Sequence, residues 1–408
     1  MPNISFSSPK KVLFCKTCVL SNQKPVTIPE FTHTKERKGA LYTRINSDGI
    51  CDACKYHKLK YKTINWKERE KNLLKLLSKF RKNNGDYDCL VPGSGGKDSA
   101  FAAHILKYKY GMNPLTVTWP PILYTDYGYK NFKNWLEVGG FDNITMKPNP
   151  EVQRKLTKLS IQNLLHPFQT FILGQKNLAP KIAYNFNIDL IFYGESEAEY
   201  GAPIKKNLSS LRDKSAYVAK NLKNIYLSGV KYKDLINDHK FKKNDLLSYL
   251  PISANLLKKK ENLQVHYLGY YLKWIPQENY YYAVENCGFK ARPYRSQGTF
   301  LKFQSIDDKI DDLHYYTHFI KFGLGRTSHD VAKEIRNKHI TLPEAKKLVK
   351  KFDGEFPDIY IDEILKYLDI KKDIFLKICD KFRQNHIWKK TKSGWKLRHT
   401  TNKDGTDD

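Results

Sequence analysis

The sequence predicts an α/β protein: a parallel twisted sheet with helices on both faces, preceded by a zinc-ribbon-like module and followed by a helical C-terminal region. Three observations carry this. Two Cys-x-x-Cys pairs stand close to the N-terminus. An apolar strand at Cys89-Leu90-Val91 runs into a Gly-rich loop and then a helix, and strand–helix alternation continues to Tyr193. At 408 residues the chain exceeds one ordinary core, so several packed units are expected: 1–62, 63–205, 206–306 and 307–408.

In the first unit, Cys15, Cys18, Cys51 and Cys54 form two pairs separated by 32 residues. That spacing can close a tetrahedral four-cysteine zinc site with no open position, which adds folding energy to a segment too small for its own core. A redox or iron–sulfur centre is the alternative. Cys89, Cys287 and Cys379 stand alone, and an odd cysteine count argues against a disulfide framework. All three read as packed small hydrophobes.

In the second unit, 66–82 reads as an amphipathic helix through Leu73, Leu74, Leu77 and Phe80. Strands are expected at 89–91, 115–118, 143–146 and 189–193, with helices at 98–110, 151–165 and 176–187. Residues 206–306 are rich in Lys and aromatics, including Tyr280-Tyr281-Tyr282, and are expected to contribute to substrate or partner binding. From Asp307 the chain reads as helices at 310–322, 328–338, 343–352, 358–368 and 371–385.

The chemistry concentrates in Gly93-Ser94-Gly95-Gly96-Lys97-Asp98-Ser99. Glycines let backbone amides surround an anion, and the helix N-terminus adds free N–H groups. Lys97 can neutralise phosphate, Ser94 and Ser99 can donate hydrogen bonds, and Asp98 is suited to hold Mg²⁺. Asp98 follows Lys97 and position 91 is Val, so this is no Walker loop. In parallel sheets ligands sit beyond the carboxyl ends of strands, where this loop and Gly194-Glu195 both lie.

Lys and Arg outnumber Asp and Glu by 71 to 42, a formal charge of +29. Lys is spread along almost the whole chain, which argues for a compositional bias over a nucleic-acid footprint. No run approaches the ~20 apolar residues of a membrane span. A soluble cytoplasmic protein is expected.

The loop resembles the PP-loop of the N-type ATP pyrophosphatases, a HUP-like superfamily that transfers AMP to a carbonyl or carboxylate oxygen. Longer stretches resemble the N-acetyl sugar amidotransferases of surface-glycan and flagellin-glycan biosynthesis. They include His166-Pro167-Phe168-Gln169, Phe192-Tyr193-Gly194-Glu195 with Glu197 to Gly201, Trp274 to Tyr280, Phe322 to Arg326 and Asp353 to Pro357.

That resemblance implies adenylation of an N-acetyl carbonyl oxygen by ATP and displacement of AMP by ammonia, giving an acetamidino sugar. Nonulosonic acids of the pseudaminic or legionaminic type and nucleotide-linked diacetamido sugars are compatible acceptors. Ammonia is expected from a separate glutaminase, with a cyclase-like channel subunit as a further partner. Substrate contacts are expected from His166, Gln169, Glu195, Glu197, Tyr200 and Arg326, with Arg292 and Arg295 as weaker versions of Arg326. For His166 and Gln169 a capped helix end or a hydrogen-bonded core fits equally. A PP-loop tRNA-modifying enzyme, thiolase or lysidine-synthase-like, is the alternative reading.

Overall fold

In a computed structural model, which describes residues 9, 11–34, 42–195, 208–219, 221, 224–258, 260 and 262–401, the sheet is built outward from Cys89–Pro92 (β1). On one side lies Pro114–Thr118 (β2) and beyond it Asn143–Thr145 (β3); on the other lies Leu190–Tyr193 (β4). Four two-residue strands follow in sequence: Val218–Ala219 (β5), Tyr226–Leu227 (β6), Val230–Lys231 (β7) and Ile252–Ser253 (β8). Gln264–Tyr267 (β9) then completes the sheet beside β4. The order is β3-β2-β1-β4-β9, and every pairing is parallel.

The central strands β1 and β4 read as nearly continuous apolar runs because both faces are covered. Successive side chains point to opposite faces, and the cores divide accordingly. Leu90, Leu115, Val117 and Ile191 belong to one core. Cys89, Val91, Leu190 and Phe192 belong to the other.

The first helices are Asp52–Lys62 (α1), Trp66–Phe80 (α2), Lys97–His104 (α3), Asp126–Glu137 (α4), Pro150–Leu164 (α5) and Gln169–Asn185 (α6). Each of α2, α4 and α5 begins on a side-chain cap: Asn65 accepts from Glu68 N–H, Thr125 from Gly128 N–H, and Asn149 from Glu151 and Val152 N–H. The α5 and α6 side chains Leu156, Ile161 and Leu173 fill the first core. Those of α2, α3 and α4, among them Leu73, Ala102 and Trp135, fill the second.

Helix α6 begins at Gln169, well before the expected start at 176. Gly174 sits inside α6 with the Trp119 indole against it; a Cβ there would come within 2.1 Å of that ring. The helix expected over 98–110 also changes character, since 105–109 continues α3 as a π-helical segment.

The remaining helices are Tyr232–Asn237 (α7), Lys243–Leu246 (α8), Ala254–Lys258 (α9), Leu268–Tyr271 (α10), Pro276–Cys287 (α11), Ile310–Phe322 (α12), Arg326–Arg336 (α13), Leu342–Phe352 (α14), Ile361–Leu368 (α15) and Lys372–Phe382 (α16). An antiparallel hairpin, Trp388–Thr391 (β10) and Gly394–Leu397 (β11), follows them. Residues 206–306 thus supply the edge strand β9 and the helix α11 that lies on α3, where Tyr282 meets Phe101 edge-on at 5.0 Å. No described helix is long and apolar enough to cross a membrane.

Candidate active site and metal centre

Strand order places β1 beside β4 while β2 and β3 lie on the other side of β1. The loops leaving β1 and β4 therefore diverge around a crevice. Gly93–Gly96 and Gly194–Glu195 form its floor, and a cavity of about 650 Å³ opens above them.

Three loop glycines have three different reasons. A Cβ at Gly93 would lie 2.4 Å from Ser99 Cβ, and one at Gly95 would lie 2.6 Å from Phe132 Cα on a backbone with φ +83°. At Gly96 the nearest atom is Ser94 Oγ at 3.9 Å, and φ −67°, ψ 155° suits any residue. Packing does not require that glycine. Gly96 is the N-cap of α3, where the first amides have no intrahelical partner.

Lys97 is buried, and its Nζ lies 2.5 Å from Asp98 Oδ2. Asp98 remains partly exposed, with Asn279 Nδ2 at 3.5 Å from its other oxygen. Ser94 Oγ donates to Asp307 Oδ2 at 2.7 Å, and Ser99 Oγ donates to the Gly96 carbonyl at 2.9 Å. No sequence signal points to Asp307. Hard carboxylate oxygens at Asp98 and Asp307 are the donor type that Mg²⁺ takes.

The opposite wall comes from α12, α13 and the segment before them. Arg326, His329, Asp330 and Lys333 occupy positions i, i+3, i+4 and i+7 of α13, one helix face, and all line the cavity. Arg326 is 2% exposed, donates to the Gln304 carbonyl, lies 3.4 Å from Asp330 and covers the Tyr315 ring at 4.5 Å. Its Nη1 is buried with no hydrogen-bond partner, a donor left over for a ligand. Lys333 Nζ stands 3.5 Å from Glu195 Oε1. Burial disfavours the Lys333 charge, but Glu195, Asp330 and Asp98 outweigh it and hold its pKa above the usual lysine value.

His314, His318 and His329 also face the cavity. Burial, chiefly, holds all three well below the ordinary imidazole range, so they are neutral. His318 Nδ1 lies 2.7 Å from the Leu324 carbonyl and must carry the proton, leaving Nε2 as an acceptor. Among the described lining residues six are cationic (Lys24, Lys97, Lys176, Arg212, Arg326, Lys333) and four acidic (Asp98, Glu195, Asp307, Asp330). The balance favours an anionic occupant.

Sequence alone places Arg326 in a turn past a helix. It is the first residue of α13, because Asp353 Oδ2 and Oδ1 accept the Gly325 and Ser328 N–H groups and cap the helix from outside. The polar i, i+3, i+4, i+7 stripe is the signal available in the sequence.

The other expected contacts fall elsewhere. His166 and Gln169 are buried behind the cavity wall: Gln169 Nε2 donates to the Glu30 carbonyl at 2.8 Å, and its Oε1 accepts the Ser228 N–H at 2.7 Å. Arg295 makes a two-pronged pair with Glu355 at 2.6 Å on both oxygens, and Arg292 lies 4.0 Å from Asp312, so both serve packing. Tyr280 stacks on Phe303 at 4.3 Å, Tyr282 binds His104, and Tyr281 is exposed. Glu197 and Tyr200 lie outside the described residues.

The four paired cysteines converge at the N-terminal module. Cys15 Sγ lies 3.9 Å from Cys54 Sγ and Cys18 Sγ 3.8 Å from Cys51 Sγ, and all four thiols are buried within 4.8 Å of one another. A zinc tetrahedron with bonds of ~2.3 Å has sulfur–sulfur edges of ~3.8 Å, so the set fits zinc. Cys51 caps α1 and its N–H points to Cys15 Sγ at 3.3 Å, which favours thiolate. Ala332 and Ile335, on the far side of α13 from Arg326, pack against this cluster. Cys89, Cys287 and Cys379 are buried, and burial pushes each thiol up, to about 12 for the last two.

Residues 297–401 match the family described as LPS biosynthesis protein WbpG-like, C-terminal domain. The stretches Phe322 to Arg326 and Asp353 to Pro357 fall inside this match. An uncharacterized protein of Methanocaldococcus jannaschii is 40% identical over 75 residues, 18% of this chain. The match spans about a quarter of that relative's length, 26%. Among solved structures, the NH3-dependent NAD synthetase of Campylobacter jejuni is 17% identical with a TM-score of 0.27, over 49% of this chain and 93% of that one. The NMN synthetase of Francisella tularensis is 20% identical with a TM-score of 0.25, over 34% and 57%. The U34-tRNA thiolase NcsA of Methanococcus maripaludis, described with its [4Fe-4S] cluster, is 12% identical with a TM-score of 0.29, over 84% and 89%.

Proposed function

We propose, for a chain whose residues 297–401 match a domain of LPS biosynthesis proteins, that it is an ATP-dependent, AMP-forming amidotransferase acting on an N-acetyl group of a bacterial glycan sugar. One observation carries the reading: the Gly93–Ser99 loop and the Arg326–Lys333 face of the matched segment line one cavity.

An amide carbonyl is a poor electrophile toward ammonia. In the proposed reaction the carbonyl oxygen attacks the α-phosphorus of ATP and pyrophosphate leaves. Ammonia then adds to the imidate carbon, and AMP departs with the original oxygen, leaving an acetamidino group. Loop amides and Lys97 hold the pyrophosphate, which stabilises charge where it develops. Asp98, with Asp307, would hold Mg²⁺, which neutralises phosphate charge when bound. The Arg326 Nη1 and Lys333 suit a carboxylate or phosphate on the acceptor. Ammonia is supplied by a separate glutaminase.

The test is incubation with Mg-ATP, an ammonium salt and a panel of N-acetylated nonulosonic acids and nucleotide-linked diacetamido sugars, read by mass spectrometry. AMP together with an acetamidino product is expected. Release of ADP overturns the mechanism, and ATP cleavage with no sugar product across the panel overturns the acceptor.

A further inference from the structure

Behind the cavity lies a second cluster of metal-ligating side chains that the proposed reaction does not use. The short turn Glu30–Thr32 is pinned against α6 by the Gln169 amide on the Glu30 carbonyl. This brings Glu30 and His33 to His166, which sits at the junction of α5 and α6. Glu30 Oε2 lies 3.6 Å from His33 Nδ1 and 3.6 Å from His166 Nε2. Those gaps are too long for hydrogen bonds. Oε2 is buried on a residue 5% exposed, and it accepts no hydrogen bond. A buried carboxylate oxygen in that condition is costly unless something else satisfies it.

The geometry points to a divalent transition-metal site formed by Glu30, His33 and His166, distinct from the four-cysteine centre. One atom from each of the three lies within 4.8 Å of the others. Ligands ~2.1 Å from a shared ion stand ~3.4 Å apart in a tetrahedron, close to the 3.6 Å from Glu30 Oε2 to each imidazole nitrogen. Two imidazoles and a carboxylate suit zinc or ferrous iron, and they do not suit magnesium or calcium.

Two cavity residues border the cluster. The His314 ring stacks near His166 at 5.1 Å, and its buried Nδ1 has no hydrogen-bond partner. Lys176 Nζ lies 3.9 Å from Glu30 Oε1, the oxygen the ion does not need. The lysine charge beside the site weakens cation binding, so this ion is held less tightly than the one in the thiolate cage. An ion here fixes the wall from which His314 and Lys176 face the cavity.

The full-length protein, stripped of metal, is titrated with Co²⁺ and separately with Zn²⁺ under reducing conditions. Two equivalents are expected: one with intense thiolate charge-transfer bands, the other with weak d–d bands alone. A mild chelator is expected to remove the second first. Glu30→Gln and His166→Asn should each abolish the second equivalent and keep the thiolate bands. Should either variant fold poorly, X-ray absorption on parent protein carrying two zinc ions decides, with nitrogen and oxygen scatterers expected on the second ion. Saturation at one equivalent, a second equivalent that persists in both variants, or purely sulfur coordination overturns the assignment. None of these readouts depends on turnover, so the site can fail while the proposed reaction stands.

Discussion

Replacing Gly96 by Ala separates a glycine kept for a ligand from one kept for the fold. The added methyl meets nothing nearer than 3.9 Å, on a backbone that alanine adopts freely. Alanine is a poorer N-cap than glycine by roughly 0.5–1 kcal/mol, and stiffening of the unfolded chain returns about 0.4–1 kcal/mol. The two nearly cancel, so Tm should move by no more than about 3 °C.

With phosphate bound, oxygens must sit about 2.9 Å from the amides at the start of α3, in the space the methyl takes. Losing one to two hydrogen bonds to a charged group, each about 1.5–3 kcal/mol, weakens binding by about 3 kcal/mol. That is roughly a 150-fold rise in Kd. Calorimetric titration of Mg-ATP into Gly96→Ala, beside a melting curve, measures both. Gly95→Ala is the contrast: at φ +83° and 2.6 Å from Phe132 Cα it should lose about 3 kcal/mol of stability. An ATP affinity within twofold of the parent in a well-folded Gly96→Ala protein would refute the reasoning, because the open space would then belong to no ligand.

Asp98→Asn should lower AMP formation by about 10²-fold or more while Tm holds, since Asp98 is partly exposed; steady-state assays across a Mg²⁺ series check this. Gly174→Ala should cost at least about 3 kcal/mol through the Trp119 clash, seen as a large fall in the urea midpoint or loss of soluble protein. Burial depresses His318 and His329 below the unfolded value of about 6.5. The unfolded chain therefore binds more protons below that pH, and stability present above about pH 6.5 is lost as pH falls. Stability should therefore fall between pH 7 and 5.5, and a His318→Gln/His329→Gln protein should show a flatter stability profile over that range. Changing Cys15, Cys18, Cys51 and Cys54 to Ser should abolish zinc binding at the four-cysteine centre and raise amide exchange in α13, whose Ala332 and Ile335 rest on the cluster.

The glycine-loop half of the cavity is legible in the sequence because its signals are local. A strand, a glycine loop and a helix start within ten residues identify themselves, and Cys-x-x-Cys pairs do the same. What escapes depends on tertiary contacts. Gly174 lies inside α6 with Trp119 in the space of its missing side chain. Strand β9 has no strong alternation, and it forms because β4 offers it an open edge. His166 and Gln169 look like substrate contacts because polar residues beside a proline are ambiguous until their partners, Glu30 and Ser228, are known. Asp307 lies 213 positions from the Ser94 hydroxyl that binds it, and no pattern in the chain links them.

Helix α13 has two clients. One face rests on the cysteine cluster through Ala332 and Ile335, and the other presents Arg326 and Lys333 to the cavity. The Gly93–Ser99 loop, by contrast, is supported by the sheet and by α11. A chain made during zinc starvation should therefore still bind nucleotide yet lack a formed seat for the acceptor. The proposed sugar modification would then fall with metal supply before ATP binding does, making output answer to the metal status of the cell.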